Sequence, residues 1–552
     1  ADADKPFLLY VAHHAVHGPI QARADDLAAY AGGYDRGWAE VRRERFERQQ
    51  ALGVVRAGTP LPDSDPEIPR WDDLEPDEQR RFARYMEVYA GAVSAIDRSV
   101  GRIVELLEAT GELDHTIIVF TSDNGGTAEG GVAGTRSYFS QFAHVAGLPP
   151  DWDRDVDRDL DLIGGPQTAV HYPRGWGEVS NTPFRLFKGD TYAGGVRAPL
   201  VVHWPDGLTT GGERPRLRHQ YLHVTDLTPT LLELAQVDRL TERAGRPAEP
   251  FDGVSAAAIL RERGAPVVHR VQYTETAGNR AYQTERWKIV TAHRHGDAFD
   301  DREWRLYDLA LDPTETSDLA REHPELVAEL AAAWERAAWA NRVFPLDDHG
   351  PASALRRPGD DRFADPVTLL AGTPPLERWR SAQLVQHRPV VITADVTLAA
   401  GDHGVIVAHG DQGGGYLVAV DLGADGEPLA TAVVNAYGDL HRSEHLRLAL
   451  GEQRIELKLL PRRRFRLDVE LCDGQTHVSL TGLPQFVGMA PFTGISVGRD
   501  AGGPVDWERS RRHGSHPFSG RLRRVRYVPG PPSPDAPAER ARVWAEGAKI
   551  YD

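Results

Sequence analysis

The run Ser122-Asp123-Asn124-Gly125-Gly126 sets a carboxylate, a carboxamide and two glycines directly after a β-branched and aromatic stretch. Oxygen donors of that kind suit a hard cation such as calcium or magnesium. A plain turn is the commoner use of the same residues, because Asn-Gly is the strongest short turn signal. A second group is His13, His14 and His17, inside the segment Ala12 to Pro19. Imidazoles so close together fit a metal site or acid–base chemistry, and fit a polar loop at least as well. Residue types alone leave both choices open.

The elements around these residues must position them. Thr116-Ile117-Ile118-Val119-Phe120 reads as a buried strand of a parallel sheet. Open α/β sheets bind ligands at the carboxyl edge of their strands, where Asp123 and Asn124 fall. Phe7-Leu8-Leu9-Tyr10-Val11 reads as another strand, with the histidines in the loop at its end. Tyr85, Tyr89, Ala92, Ile96, Val100, Ile103 and Leu107 recur at steps of three and four. That spacing predicts a long amphipathic helix from Asp77 to Ala109. Gly111 ends it, and helix plus strand form half of a βαβ unit.

Residues 24–75 are charged and read as a helix followed by an irregular crossing segment. Residues 127–180 are glycine-rich and acidic, with a polar insert around Asp151–Asp161, and read as active-site loops. Leu200 to Trp204 reads as a strand, and residues 221–236 as a helix with Pro229 in its first turn. Two short strands within 285–309 and a helix from Pro324 make a small α+β subdomain closing the first unit, 1–345. Residues 346–380, rich in Asp, Pro, Gly and Arg, read as a linker. Beyond it the apolar period becomes two, as in Ile392, Ala394, Val396 and Leu398. The segment 381–530 is therefore expected to be an all-β sandwich, with 531–552 as a tail. The arginines at 462–464 and 509–512 admit a binding patch, but such runs are more often solvated faces of strands and loops.

The 552 residues leave room for more than one domain. A net charge of −17 argues against nucleic acid or an anionic membrane as the main partner. Local positive charge must then attract any anionic substrate. Cys472 is the only cysteine, which rules out an intrachain disulfide and fits a reducing compartment. No apolar run approaches the roughly 18 residues of a membrane-spanning helix. The first residue is Ala1, and Lys5-Pro6 leads straight into a strand pattern, so the sequence is expected to begin within a domain.

Five segments, in order along the chain, resemble the sulfatase family of the alkaline-phosphatase-like superfamily. They are KPFLLYVAHHAVHGPIQA at 5–22, YAGAVSAIDRSVGRIVELLEATGELDHTIIVFTSDNGG at 89–126 and GWGEVSNTPFRLFKGDTYAGGVRAPLVVHWP at 175–205, then HVTDLTPTLLELA at 223–235 and WRLYDLALDPTETSDLA at 304–320. GVIVAHGDQGGGYLVAV at 404–420 and GISVGRD at 494–500 look like the accessory jelly-roll sandwich, lectin-like, of long bacterial arylsulfatases. The resemblance implies an α/β sulfatase core followed by that sandwich. It implies hydrolysis of a sulfate monoester, on a small molecule or a glycan, at a divalent-cation site, usually calcium. Asp123 and Asn124 would be two of the metal ligands. His17 would contact the sulfate group from one side and Lys188 from the other. Charge that develops during S–O cleavage is stabilised by such a convergence of cation, lysine and histidine.

The sequence also departs from the family pattern. The family's formylglycine nucleophile, made from a cysteine or serine in a Cys/Ser-x-Pro-Ser/Ala-x-Arg-like signature, belongs upstream of these segments. So do two further aspartates of the metal shell, with another lysine and histidine. Cys472 has no proline or arginine in register, and Ser515-His516-Pro517-Phe518-Ser519 carries Phe518 where a small residue belongs. Ala193 replaces a common glutamate before Gly194-Gly195. The sequence thus reads as a sulfatase incomplete at its N-terminus, inactive alone, with exposed apolar sheet edges. Two alternatives stand beside it. One is a phosphate or phosphonate ester hydrolase of the same superfamily; Asn124, where two-metal members tend to have histidine, counts against it. The other is a non-catalytic glycan- or protein-binding scaffold.

Overall fold

The computed structural model describes residues 5–136, 160–165, 168–208, 217–294, 296–348, 363–487 and 490–533, with Ala536 and Ala538. Most of the insert around Asp151–Asp161 and most of the tail 531–552 therefore lie outside the described residues.

The helix Pro76–Thr110 is the spine of the first half. Pro76 occupies its first turn, the Glu75 N–H donates to the Glu78 carboxylate at 3.3 Å, and Gly111 ends it at φ 74°. Its front half buries Phe82, Tyr85, Met86 and Val88 against Trp38, Trp71 and Trp176. Trp176 Nε1 donates to the Phe82 carbonyl at 2.8 Å, so the buried indole leaves no unpaired donor. Burial of each such side chain stabilises by about 1.5–3 kcal/mol. The back half is different. Val93 and Leu106 are exposed, and Ile96, Val100 and Ile103 are only partly covered.

That bare stripe faces a cleft of about 6430 Å³, and here two expectations fail. The strand Ile118–Thr121 is not buried in a parallel sheet. It pairs antiparallel with Leu200–His203, and the two form a two-stranded sheet. Phe7 to Val11 forms no strand and is exposed along its length. The reason is shared: a β-branched run becomes a buried strand only where neighbours complete its ladder, and the described residues supply one neighbour to Ile118–Thr121 and none to Phe7–Val11.

The α+β subdomain contains the two expected strands and, ahead of them, two that the sequence pattern does not mark. Val271–Thr276, Asn279–Thr284, Trp287–Val290 and Arg305–Asp308 form an antiparallel meander. The helix Pro324–Ala340 packs Leu330 and Trp334 onto Ile289, Trp304 and Leu306.

The C-terminal half is two antiparallel sheets packed face to face. One runs in the order His477–Pro484, Arg466–Cys472, Gly451–Arg462, Val390–Leu398, Arg521–Pro529, Val367–Leu369. Its inward residues, among them Ile392, Leu457, Val469 and Val525, share a core with Val418, Ala432 and Ile495 of the other sheet. The expected linker is shorter than read. Val367–Leu369 is an edge strand on Val525–Tyr527, and the helix Arg378–Val385 packs beneath the sheet through Leu384 and Val385. Three strand residues among prolines and aspartates carry too few alternations to be read from sequence.

Candidate functional site

The segments carrying Asp123 and Lys188 are knotted by backbone contacts that only glycine permits. Gly125 N–H donates to the Gly195 carbonyl at 2.9 Å, and a Cβ on Gly125 would overlap the Gly194 carbonyl oxygen. Asn181, at the end of the helix Arg174–Asn181, completes the knot. Its Oδ1 accepts from Gly126 N–H at 2.6 Å, and its Nδ2 donates to the carbonyls of Gly126 and Leu186 at 3.0 and 2.9 Å. The Gly126 carbonyl in turn receives Lys188 N–H at 3.0 Å.

From this base the Lys188 ammonium reaches into the cleft. Its Nζ lies 3.1 Å from Glu129 Oε1 and 3.3 Å from His17 Nε2. His17 Nδ1 sits 2.7 Å from the Gly18 carbonyl, which can only accept, so the ring proton is on Nδ1. The other nitrogen then presents its lone pair to the ammonium. Beneath them His171 is buried against Tyr172, and burial holds its pKa below the usual imidazole range. It is a neutral floor to the site.

The α+β subdomain braces the loop from behind. The buried Glu315 carboxylate accepts Ala193 N–H at 2.8 Å and the equally buried Lys288 ammonium at 2.6 Å. The Glu315 carbonyl receives Arg185 at 2.6 Å. Within the loop, Asp190 accepts Phe187 N–H at 3.0 Å, and burial raises its pKa to about 6.

Of the residues expected from sequence, His17 and Lys188 touch, and Asp123 and Asn124 line the same cleft. Asp123 is exposed and has no partner among the described residues. The Asn124 amide nitrogen donates to the Gly125 carbonyl at 2.7 Å, leaving its oxygen available. Two such oxygens are right in kind for calcium but too few, since that ion takes about six to eight. Among the described residues no group of three or more His, Cys, Asp or Glu is arranged to hold a metal. The residues present therefore do not form a complete cation site. Cys472 is remote from the cleft, in the second half of the chain, 3.8 Å from Glu456, and burial raises its thiol pKa. Glu129, His171, Lys288 and Glu315 carry no mark in the sequence that singles them out.

The first half of the chain thus brings Lys188 and His17 together in a cleft that the Asp123-Asn124 turn also lines. Residues 1–237 match the sulfatase family model, and residues 185–337 match the model for the C-terminal part of N-sulphoglucosamine sulphohydrolase. Over its first 337 residues the chain is thus similar to the sulfatase family of the alkaline-phosphatase-like superfamily. It is 30% identical over 344 residues to an uncharacterized sulfatase of Schizosaccharomyces pombe, a match covering 60% of this chain and 58% of the relative. It is 31% identical over 276 residues to an arylsulfatase of Klebsiella aerogenes, covering 50% and 55%. An N-acetylglucosamine-6-O-sulfatase of Bacteroides thetaiotaomicron is 24% identical over 242 residues, covering 43% and 32%. The chain thus spans little more than half the length of the first two relatives.

Proposed function

We propose that this chain supplies the lysine, the histidine and two cation-shell oxygens of a sulfuric ester hydrolase acting on an aryl or glycan sulfate monoester. The observation that carries the reading is the contact between Lys188 and His17 in a cleft that Asp123 and Asn124 also line. Cleavage of the S–O bond puts negative charge on the sulfate oxygens and on the departing alkoxide. Lys188, fixed through its own backbone N–H and through Glu129, offers that charge a positioned ammonium. The Gly18 carbonyl holds the His17 ring so that Nε2 faces the same point; once protonated there, it can donate to the leaving oxygen. A calcium held in part by Asp123 and Asn124 would add Lewis-acid stabilisation of the sulfate oxygens.

None of the cysteine or serine residues among these 552 stands in a formylglycine signature, so these residues alone are expected to bind the anion without turning over an ester. Calorimetric titration of the chain with inorganic sulfate, beside turnover assays with matched aryl sulfate and aryl phosphate, tests the reading. Saturable sulfate binding lost in Lys188→Met and His17→Ala supports it. Absence of binding, or turnover of the sulfate ester at an ordinary enzymatic rate by the chain alone, overturns it.

A further inference from the structure

The outer face of the six-stranded sheet concentrates positive charge on a chain whose net charge is −17. On the strand Arg521–Pro529 the outward residues include Arg521, Arg523, Arg524 and Arg526, while Leu522, Val525 and Tyr527 point into the core. A register shift between Asp395 and Val396 inserts Arg523 as an extra residue, so both Arg523 and Arg524 reach the outside. At about 3.4 Å per residue, Arg521 to Arg526 covers about 17 Å of strand.

Their neighbours are fixed by register. Asp395 lies between Arg524 and Arg454 and is held by both, at 2.7 and 3.0 Å. Glu456 and Glu470 engage Lys458 at 3.3 and 3.8 Å. Glu452 is two strands from Arg521, with Thr397 between them. Asp402, beside Gly520, accepts from Ala399 N–H at 2.7 Å and Ser519 Oγ at 2.9 Å, so the acids nearest this row are occupied or distant. Arg521, Arg523 and Arg526 are exposed and have no hydrogen-bond or ion-pair partner among the described residues. Arg526 stands between Thr393 and Thr368, whose hydroxyls can add neutral hydrogen bonds. Three arginines within six residues of one strand thus face outward with no carboxylate partner among the described residues.

We propose that this face binds an anionic polysaccharide bearing sulfate groups. A guanidinium presents a planar fork of donors that matches an oxyanion, and a row of them matches a polymer carrying anions at regular intervals. The choice of sulfate as the anion rests on the sulfate-ester reading of the cleft; the row of charges does not. Against the chain's overall negative field the attraction acts only at short range and is weakened by salt. Attachment of a polymer at this face would raise the local concentration of its other sulfate groups around the protein, a gain in concentration rather than in chemistry.

The test is fluorescence anisotropy of labelled dextran sulfate, with neutral dextran and single-stranded DNA as comparisons, at roughly 0.05 M and roughly 0.3 M salt. The full chain is compared with Arg521→Ser/Arg523→Ser/Arg526→Ser and with a charge-matched control, Arg23→Ser/Arg102→Ser/Arg321→Ser, all with unchanged melting curves. Binding of dextran sulfate alone, weakened at least tenfold in the first variant and at high salt but kept in the control, is the expected result. Equal loss in both variants, no binding, or equal affinity for DNA overturns the proposal. None of these outcomes depends on sulfate binding in the cleft, so the two readings fail separately.

Discussion

Lys188 Nζ and His17 Nε2 stand 3.3 Å apart although 171 residues separate them in the chain, and Glu129 holds the same ammonium at 3.1 Å. The arrangement separates attraction from positioning. Lys188→Met removes the only positive charge in this trio and is expected to weaken inorganic sulfate binding about tenfold or more. Glu129→Gln removes a carboxylate that repels the anion, so sulfate should bind severalfold tighter, for a gain of about 1 kcal/mol. Calorimetric titration of both variants reads the two directions, and weaker binding by Glu129→Gln would contradict this account.

Gly125 explains why the Asp-Asn-Gly-Gly turn cannot be varied freely. Gly125→Ala drives a methyl group into the Gly194 carbonyl and must part the two segments that Asn181 ties together. Overpacking of this kind costs about 1–3 kcal/mol, and here it also moves Lys188. The expected outcome is a lower urea midpoint together with weaker sulfate binding. Ala193 lies on the same loop, but its change from the family's common glutamate leaves the backbone bond to Glu315 intact.

The pair Lys288 and Glu315 is buried on both sides at 2.6 Å. Lys288→Met strands the carboxylate, and breaking such a pair costs about 3–5 kcal/mol. Lys288→Met combined with Glu315→Gln keeps a neutral acceptor for Ala193 N–H and should recover part of that loss. Chemical denaturation of the two variants gives the comparison; equal stability would mean that the charge of Glu315 matters little once its partner is gone.

How much of the molecule is legible in the chain follows from how local each signal is. The helix Pro76–Thr110 is plain because its buried residues repeat every three or four positions in one segment. Asp123 with Asn124, and the His17 loop, stand out because several chemically loaded side chains fall close together. Phe7–Val11 misleads because an apolar run states a preference, while a strand also needs a neighbour that the run itself does not encode. Glu129, Lys288 and Glu315 act through contacts with segments far off in sequence, so nothing beside them marks their roles. Val367–Leu369 is simply too short to show a period.

The sandwich carries opposed buried titrations that set its response to acid. Burial raises the Asp411 and Asp500 carboxyls to about 6 and about 7, and each raised group favours folding at low pH and loses that contribution as pH rises through its folded value. Burial depresses His409 to about 3, and burial with the nearby Arg509 depresses His516 to about 4. These favour folding above the ordinary imidazole range and lose it as pH falls. Between about pH 4 and 6 the folded state holds two protons on the aspartates and the unfolded state holds two on the histidines, so these four contributions cancel. Asp500→Asn removes one folded-state proton while keeping an acceptor for Val505 N–H. Relative to the wild type, its stability should then fall by about 1.4 kcal/mol per pH unit on acidification through that window. His409→Leu removes one unfolded-state proton and should shift the slope by the same amount in the opposite direction. Urea unfolding at stepped pH reads both, and two variants with parallel slopes would show that neither buried group titrates as placed.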